Sequence, residues 1–283
     1  AQRKTPGIFP RRLGPRQQAM ISAAQLQAFD ERGAVTLDTP LTASEIAAAN
    51  AAIDQMLPMQ EPDTGQQPRY RYGATCNFYA PALVDLIQHP FFERVAKKVL
   101  RADSIRFFQT AALKTYPQPG EFSFSEHTDI QYSLEDWAQT PRRVVCSYFL
   151  WLTDVNARRA PMMHRPGSHR LIAAARSANP ALRDTRPGVE GIQMENLPPE
   201  YAAPQPVLAR AGQVTALTTS MIHGGSTNVD DQPRKVLVMT YTAAGVNISL
   251  PESQATVKRA YDAELRKILR PERAHLVADL YQP

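Results

Sequence analysis

The tripeptide His127-Thr128-Asp129 is the first place in the sequence where side chains could act together on a metal ion. It lies in a stretch, Glu126 to Tyr132, whose residue types predict a β-strand, and alternate residues of a strand point to the same side. The His127 imidazole and the Asp129 carboxylate would therefore face one way, with Thr128 turned to the other. A lone His-x-Asp triplet can arise by chance in a chain of this length, so its meaning depends on the other residues.

Two more residues complete a chemically coherent set. His223 follows a predicted strand, Gln213 to Ile222, and precedes two glycines that let backbone pass close to a bound group. Two histidines and one carboxylate on one face of a barrel form the facial triad that holds Fe(II) and leaves positions open for a co-substrate and O2. Arg234 begins the next predicted strand, which we expect to pair with the strand ahead of His223.

The charges of such a site are balanced. The Arg234 guanidinium would offer a planar, two-point contact to a carboxylate at some distance from the metal. Fe(II) with one aspartate carries a single positive charge, a dicarboxylate co-substrate carries two negative charges, and Arg234 restores neutrality. A buried site requires that balance, because an uncompensated buried charge is costly.

The chain from about Lys114 to Thr242 resembles the phytanoyl-CoA dioxygenase group of the Fe(II)/2-oxoglutarate-dependent oxygenases. The segments that carry the resemblance are His127-Thr-Asp129, Val145-Cys-Ser-Tyr-Phe-Leu-Trp-Leu-Thr-Asp154, Arg165-Pro-Gly-Ser-His169, His223 and Arg234. The resemblance implies that Fe(II), 2-oxoglutarate and O2 are used to oxidise, by default to hydroxylate, a C–H bond of a small-molecule metabolite or natural-product intermediate. 2-Oxoglutarate would be converted to succinate and CO2.

The resemblance also implies roles for individual residues. His127, Asp129 and His223 would be the catalytic iron ligands, and Arg234 would hold the distal carboxylate of 2-oxoglutarate. Further co-substrate contacts are expected from four residues: Tyr148, Gln109, Lys114 and Ser226. Ser226 is included because the family sometimes has a hydroxyl donor to the co-substrate at the position of Gly225. Thr227 could provide this hydroxyl instead of Ser226. Asp129 is an acid and not the Gly or Ala of halogenating relatives, which favours oxygen transfer or oxidation.

The pattern of predicted elements favours a mainly β fold with flanking helices. We expect a double-stranded β-helix core (a cupin-like jelly roll) over 103–245, a mainly helical N-terminal layer over 21–102, a C-terminal helix within 250–283, and one domain in all, with a basic tail at 1–20. Helix signals in the first third are clear. Ser22 is an N-cap for a helix that ends at Gly33, Thr42 and Glu45 have capping-box spacing, and Pro90 divides a helical stretch ending at Leu100.

Composition excludes several classes of function. The net charge of +5 comes from 32 basic and 27 acidic residues, and five of the basic ones lie in the first 16 positions, so the rest of the chain has no basic stripe for nucleic acid. No apolar run is long enough for a membrane span, and no secretory pattern follows the basic start, so a cytoplasmic enzyme is expected. Cys76 and Cys146 are expected to be reduced and buried.

Two other functions remain open at this stage. One is a non-catalytic metal- or ligand-binding jelly roll, which would have little use for a carboxylate anchor such as Arg234. The other is a cupin-like isomerase or hydrolase with a different metal. The substrate is expected to contact segments outside the shared framework. These segments are Glu61 to Tyr79, Ser133 to Thr140 and Ser177 to Pro204.

Overall fold

The computed structural model describes residues 20–129, 145–178, 200–246, 248, 250 and 252–277. The expectations for the basic tail, for Ser133 to Thr140 and for most of Ser177 to Pro204 lie outside these residues. The helices are α1 Ala23–Arg32, α2 Ala43–Met56, α3 Pro81–Ile87, α4 Pro90–Leu100, α5 Ser168–Ala178, α6 Glu252–Ile268 and a final 3-10 helix Pro271–Val277. The strands are β1 Ala34–Leu37, β2 Arg71–Thr75, β3 Ile105–Thr115, β4 Val145–Trp151, β5 Met163–His164, β6 Gln205–Pro206, β7 Val214–Thr218, β8 His223–Gly224 and β9 Arg234–Ala243.

The first two helices begin at the residues that the sequence predicts. The Ser22 hydroxyl accepts a bond from the Gln25 backbone N–H, and the Gln25 side chain accepts one from the Ser22 N–H. Thr42 and Glu45 form the same reciprocal pair at the start of α2. Each pair satisfies two backbone donors that have no partner inside the helix. Gly33 ends α1 with φ at 84°, a conformation that favours glycine.

In the described ranges, nine strands form two antiparallel sheets. The larger has the order β1-β7-β4-β9-β3-β2, and the smaller has the order β6-β5-β8. Helices α2 to α4 contact one face of the large sheet, where the Tyr148 ring packs against Phe92 and Tyr241 within the main apolar core. The opposite face is turned towards β8, and the functional residues lie there.

Three strand predictions are corrected. The described part of the stretch Glu126 to Tyr132 forms only an isolated bridge, His127 to His223, because β8 is two residues long and offers a single pairing position. The predicted strand Gln213 to Ile222 ends at Thr218, where a turn carries the chain across to the small sheet. Strand β9, which starts at Arg234, pairs with β3 and β4 and not with the strand preceding His223.

Helix α6 lies within the range 250–283 in which the sequence predicts a C-terminal helix. Tyr261 and Leu265 are buried, whereas half of Val257 is exposed. Val257 faces a cavity beside the large sheet, so α6 forms one wall of that cavity. Within the described residues, no helix combines the length and apolar character needed to cross a membrane.

Candidate metal centre and its two cavities

Two short backbone segments hold the predicted metal ligands together. His127 and His223 exchange both backbone hydrogen bonds of their bridge, at 2.8 and 2.9 Å. The N–H of Asp129 donates to the Thr219 carbonyl, which fixes the next ligand to the turn after β7. This pairing explains how residues 94 to 96 positions apart in sequence come to share one site.

The side chains converge as a metal site requires. Asp129 Oδ1 lies 3.7 Å from His127 Nε2 and 3.7 Å from His223 Nε2. All three donor atoms lie within 4.8 Å of one another, a spacing that one cation can bridge at ordinary N and O coordination distances. Two imidazoles and one carboxylate on one side of a cavity fit Fe(II) with open positions.

Hydrogen bonding and charge prepare the ligands for a cation. His223 Nδ1 lies 2.9 Å from the Met221 carbonyl, which can only accept, so Nδ1 carries the proton and Nε2 keeps its lone pair. Burial lowers the pKa of His223 and favours the neutral form, which is the metal-binding form. Burial acts to raise the pKa of Asp129, but the His223 and His127 imidazoles outweigh it and hold that pKa below its usual range.

An inner cavity extends from the ligands between the two sheets. Its volume is about 200 Å³, and Arg234 lies in its wall. Only 4% of Arg234 is exposed, its Nε donates to the Ala160 carbonyl at 3.2 Å, and its guanidinium lies 6.0 Å from the centre of the Trp151 ring. Burial, followed by repulsion from Arg71, lowers the pKa of Arg234 to about 9. Such a group is stabilised by an incoming carboxylate.

An outer cavity of about 690 Å³ opens on the other side of the ligands. Gln109, His127 and Asp129 line both cavities. The other residues around the outer cavity mix hydrogen-bonding and apolar side chains: Thr75, Cys76, Thr128, Leu250, Ser253, Gln254, Val257 and Lys258. A metal ion on the triad would therefore lie between a small inner chamber and a larger outer one.

Three predicted co-substrate contacts are corrected. Tyr148 is fully buried on the helix-packed face of β4, because strand alternation turns its neighbours Ser147 and Phe149 to the cavity instead. Lys114 also faces the helices, where its ammonium pairs with Asp54 at 2.6 Å. The Ser226 hydroxyl donates to the Pro161 carbonyl at 2.6 Å, and Ser226 does not line either cavity.

The residue that the sequence did not identify is Arg71. It lies at the start of β2 and lines the inner cavity with Arg234. It falls in the polar stretch Glu61 to Tyr79, which was expected to contribute on the substrate side, and Thr75 and Cys76 from that stretch do line the outer cavity. Nothing in the local sequence distinguishes Arg71 from Arg69, because only the pairing of β2 with β3 sets its direction.

Three other histidines are held by contacts with the backbone. His164 Nδ1 lies 2.9 Å from the Gln205 carbonyl, and His169 Nε2 lies 2.9 Å from the Asp30 carbonyl. His89 is half-buried and caps α4 by accepting from the Phe91 N–H. None of the three contributes to the metal cluster found among the described residues.

Comparisons with known proteins agree with this geometry. The family profile described as Phytanoyl-CoA dioxygenase (PhyH) matches residues 29–236. An ectoine dioxygenase of Bordetella parapertussis is 24% identical over 249 residues, covering 82% of this chain and 79% of the relative. An ectoine dioxygenase of Nocardia farcinica is 24% identical over 247 residues, covering 82% of this chain and 81% of the relative.

Solved structures share the fold at low sequence identity. The non-heme α-ketoglutarate-dependent carbocyclase SnoK from nogalamycin biosynthesis superposes with a TM-score of 0.64 at 19% identity, covering 84% of this chain and 90% of SnoK. EctD from S. alaskensis with bound Fe gives 0.58 at 20% identity, covering 83% and 81%. These structures confirm the jelly-roll fold, and the profile match covers well over half of the chain. This chain is therefore a member of the phytanoyl-CoA dioxygenase family.

Proposed function

We propose that this protein is an Fe(II)/2-oxoglutarate-dependent oxygenase that hydroxylates a small polar molecule bound in the outer cavity. The observation that carries the proposal is the His127, Asp129 and His223 cluster at the junction of two cavities, one of which ends at a buried arginine. When bound, iron and its co-substrate supply the oxidation: one O2 and one 2-oxoglutarate convert a C–H bond to C–OH, with release of succinate and CO2.

The inner cavity suits the co-substrate. Its volume of about 200 Å³ is suitable for a short dicarboxylate. Arg234 at its wall would bind the distal carboxylate, and the apolar walls Leu113, Phe149 and Val238 would shield that ion pair from water. Gln109, at the boundary of the cavities, would position the end of the co-substrate nearest the metal.

The outer cavity suits a small polar substrate. Its volume of about 690 Å³ lies within the usual range for small-molecule sites. Lys258 lies in its wall, where it is buried and its ammonium is paired with Asp262. Ser253 and Gln254 lie one turn before it on α6 and add hydrogen-bonding groups. Ectoine, named for the relatives, is a suitable first compound to test.

Turnover gives a direct test. Protein reconstituted anaerobically with Fe(II) and 2-oxoglutarate is mixed with ectoine and a panel of small polar metabolites, air is admitted, and succinate is measured. We expect substrate-dependent succinate, with one hydroxylated product per succinate, and none with Asp129→Ala. Saturable iron binding without succinate for any compound would instead favour a non-catalytic binding barrel.

The position of the substrate is tested separately. Val257→Trp adds bulk at an exposed residue that faces the outer cavity, whereas Ile268→Trp adds the same bulk at an exposed residue of α6 that does not line it. We expect only Val257→Trp to reduce substrate-coupled turnover, with 2-oxoglutarate binding retained by both variants. Equal activity of the two variants would place the substrate elsewhere.

A further inference from the structure

The inner cavity contains a second guanidinium, that of Arg71. In the register of the large sheet, Arg71 pairs with Thr115, and Thr115 pairs with Arg234, so the two arginines lie in one row across three strands. Both line the same cavity, and repulsion between them contributes to the lowered pKa of Arg234. Within the ranges that the structure describes, neither arginine forms an ion pair with a carboxylate.

Gly225 provides the space for this guanidinium. A Cβ at position 225 would lie 2.6 Å from Nη1 of Arg71 and 3.3 Å from its Cζ, both closer than ordinary contacts. The guanidinium therefore packs directly over the backbone that follows the metal ligand His223. Any side chain at position 225 would displace the arginine, so the glycine and Arg71 form a matched pair.

The hydroxyls that could otherwise serve this end of the cavity are used elsewhere. Ser226 donates to the Pro161 carbonyl, and Thr227 Oγ1 accepts from the Ser123 N–H at 2.9 Å. Of positions 225 to 227, only Gly225 lines the inner cavity, and it has no side chain that could donate to a bound carboxylate. Arg71 fills the space that such a donor would require.

We infer that Arg71 is a second anchor for the distal carboxylate of 2-oxoglutarate, acting together with Arg234. This inference rests on the proposed function. A carboxylate can accept about four hydrogen bonds. The Nε of Arg234 donates to the Ala160 carbonyl, so the guanidinium of Arg234 alone cannot fill all of these acceptor positions. An anion between the two arginines also removes their mutual repulsion. Arg71 is exposed as a whole residue, yet burial of its guanidinium is enough to lower its pKa, so this charge is also favoured by a nearby carboxylate.

The test measures binding and not turnover. Anaerobic calorimetry on the Fe(II) protein compares 2-oxoglutarate with 2-oxopentanoate, which has the same chain length but lacks the distal carboxylate. For Arg71→Ala we expect 2-oxoglutarate to bind about ten- to a hundredfold more weakly, as for a lost charged hydrogen bond, and 2-oxopentanoate to bind unchanged. Arg69→Ala, which removes an exposed arginine two residues earlier, should bind both like the wild type.

Position 225 supplies an independent variant. Gly225→Ser alone should weaken 2-oxoglutarate binding, because its Cβ displaces the guanidinium. The double variant Arg71→Ala/Gly225→Ser should regain part of the affinity, because the serine hydroxyl then has room to face the carboxylate. Thermal melts confirm that each variant is folded.

The results separate this inference from the proposed function. Unchanged 2-oxoglutarate binding in Arg71→Ala, or tighter binding in Gly225→Ser alone, would overturn the role of Arg71. An equal loss for both oxo acids would also overturn it, since the contact would then lie at the metal end. If Arg234→Ala as well left 2-oxoglutarate binding unchanged, the proposed co-substrate site itself would be wrong.

Discussion

The replacement Gly224→Ala should separate the metal ligands while leaving most of the protein intact. A Cβ at position 224 would lie 1.7 Å from the backbone oxygen of Ser125 and 2.7 Å from its carbonyl carbon. Real Cβ contacts stay beyond about 3.0 Å, so the two backbones must move apart by about 1.3 Å. The segment that contains Ser125 also carries His127, and β8, which contains Gly224, carries His223. Moving these two backbones apart therefore moves the two imidazoles apart.

The expected loss of Fe(II) affinity in Gly224→Ala follows from how little metal–ligand distances can vary. Metal–ligand distances vary by about 0.2 Å in well-formed sites, so a displacement several times larger removes one ligand from reach. We expect Fe(II) affinity to fall by more than the 10- to 100-fold seen when only an outer hydrogen bond to a ligand is lost. Two bridge hydrogen bonds weaken as well, which should lower the free energy of unfolding by about 1–3 kcal/mol.

Gly225→Ala is the matched control. Its Cβ meets the end of the flexible Arg71 side chain, which can move, and no backbone atom. Anaerobic titration with Fe(II), or with Co(II) followed by its visible absorbance, compares both variants with the wild type, and thermal melts monitor folding. Metal affinity in Gly224→Ala equal to that of the Gly225→Ala control would refute the claim that the bridge at position 223 sets the ligand geometry.

Three further outcomes are expected. Asp129→Ala should bind Fe(II) at least a hundredfold more weakly and produce no succinate, because the two imidazoles that remain do not replace the negative charge of the carboxylate. Substantial activity would show that Asp129 is not part of the metal site. Burial acts to raise the pKa of Glu93, but its hydrogen bonds to Lys97 and Arg273 lower it from 4.5 to about 2. Because the pKa of Glu93 is lower in the folded than in the unfolded protein, its carboxylate stabilises the fold above about pH 4.5, and this stabilisation is lost as the pH falls towards 2. The difference in melting temperature between wild type and Glu93→Gln should therefore shrink over that range. A constant difference would contradict this. Cys76 and Cys146 are buried thiols that are not joined in a disulfide. A thiol reagent should therefore titrate two groups after denaturation and react slowly before it; finding fewer than two would show that they are oxidised.

Local signals made the helices predictable. Each helix start is set by residues within a few positions of it, so a short stretch of sequence is enough to identify it. These signals are the caps at Ser22 and Thr42 and the prolines at the starts of α3 and α4. The cluster of possible metal ligands was also predictable, because few combinations of residue types perform that chemistry. The structure brings together His127, Asp129 and His223 as expected.

Strand partners and strand faces were harder to predict. Gln109 and Lys114 were both expected in the site, yet an odd separation on a regular strand puts two side chains on opposite faces, and only Gln109 lines the cavities. The prediction that Tyr148 contacts the co-substrate is wrong for the same reason, because side chains one residue apart on a strand point to opposite faces of the sheet. Arg71 was missed because its place in the cavity depends on the pairing of distant strands, which no local pattern encodes.

Anaerobic titration of the protein with Fe(II), followed by addition of 2-oxoglutarate, shows whether His127, Asp129 and His223 bind the metal. We expect one tightly bound Fe(II) per chain and a visible charge-transfer band that develops on addition of 2-oxoglutarate. Both signals should disappear in His223→Ala, whose thermal melt should still show a folded protein. Iron binding and a band that survive in His223→Ala would contradict the account, because the metal would then lie elsewhere.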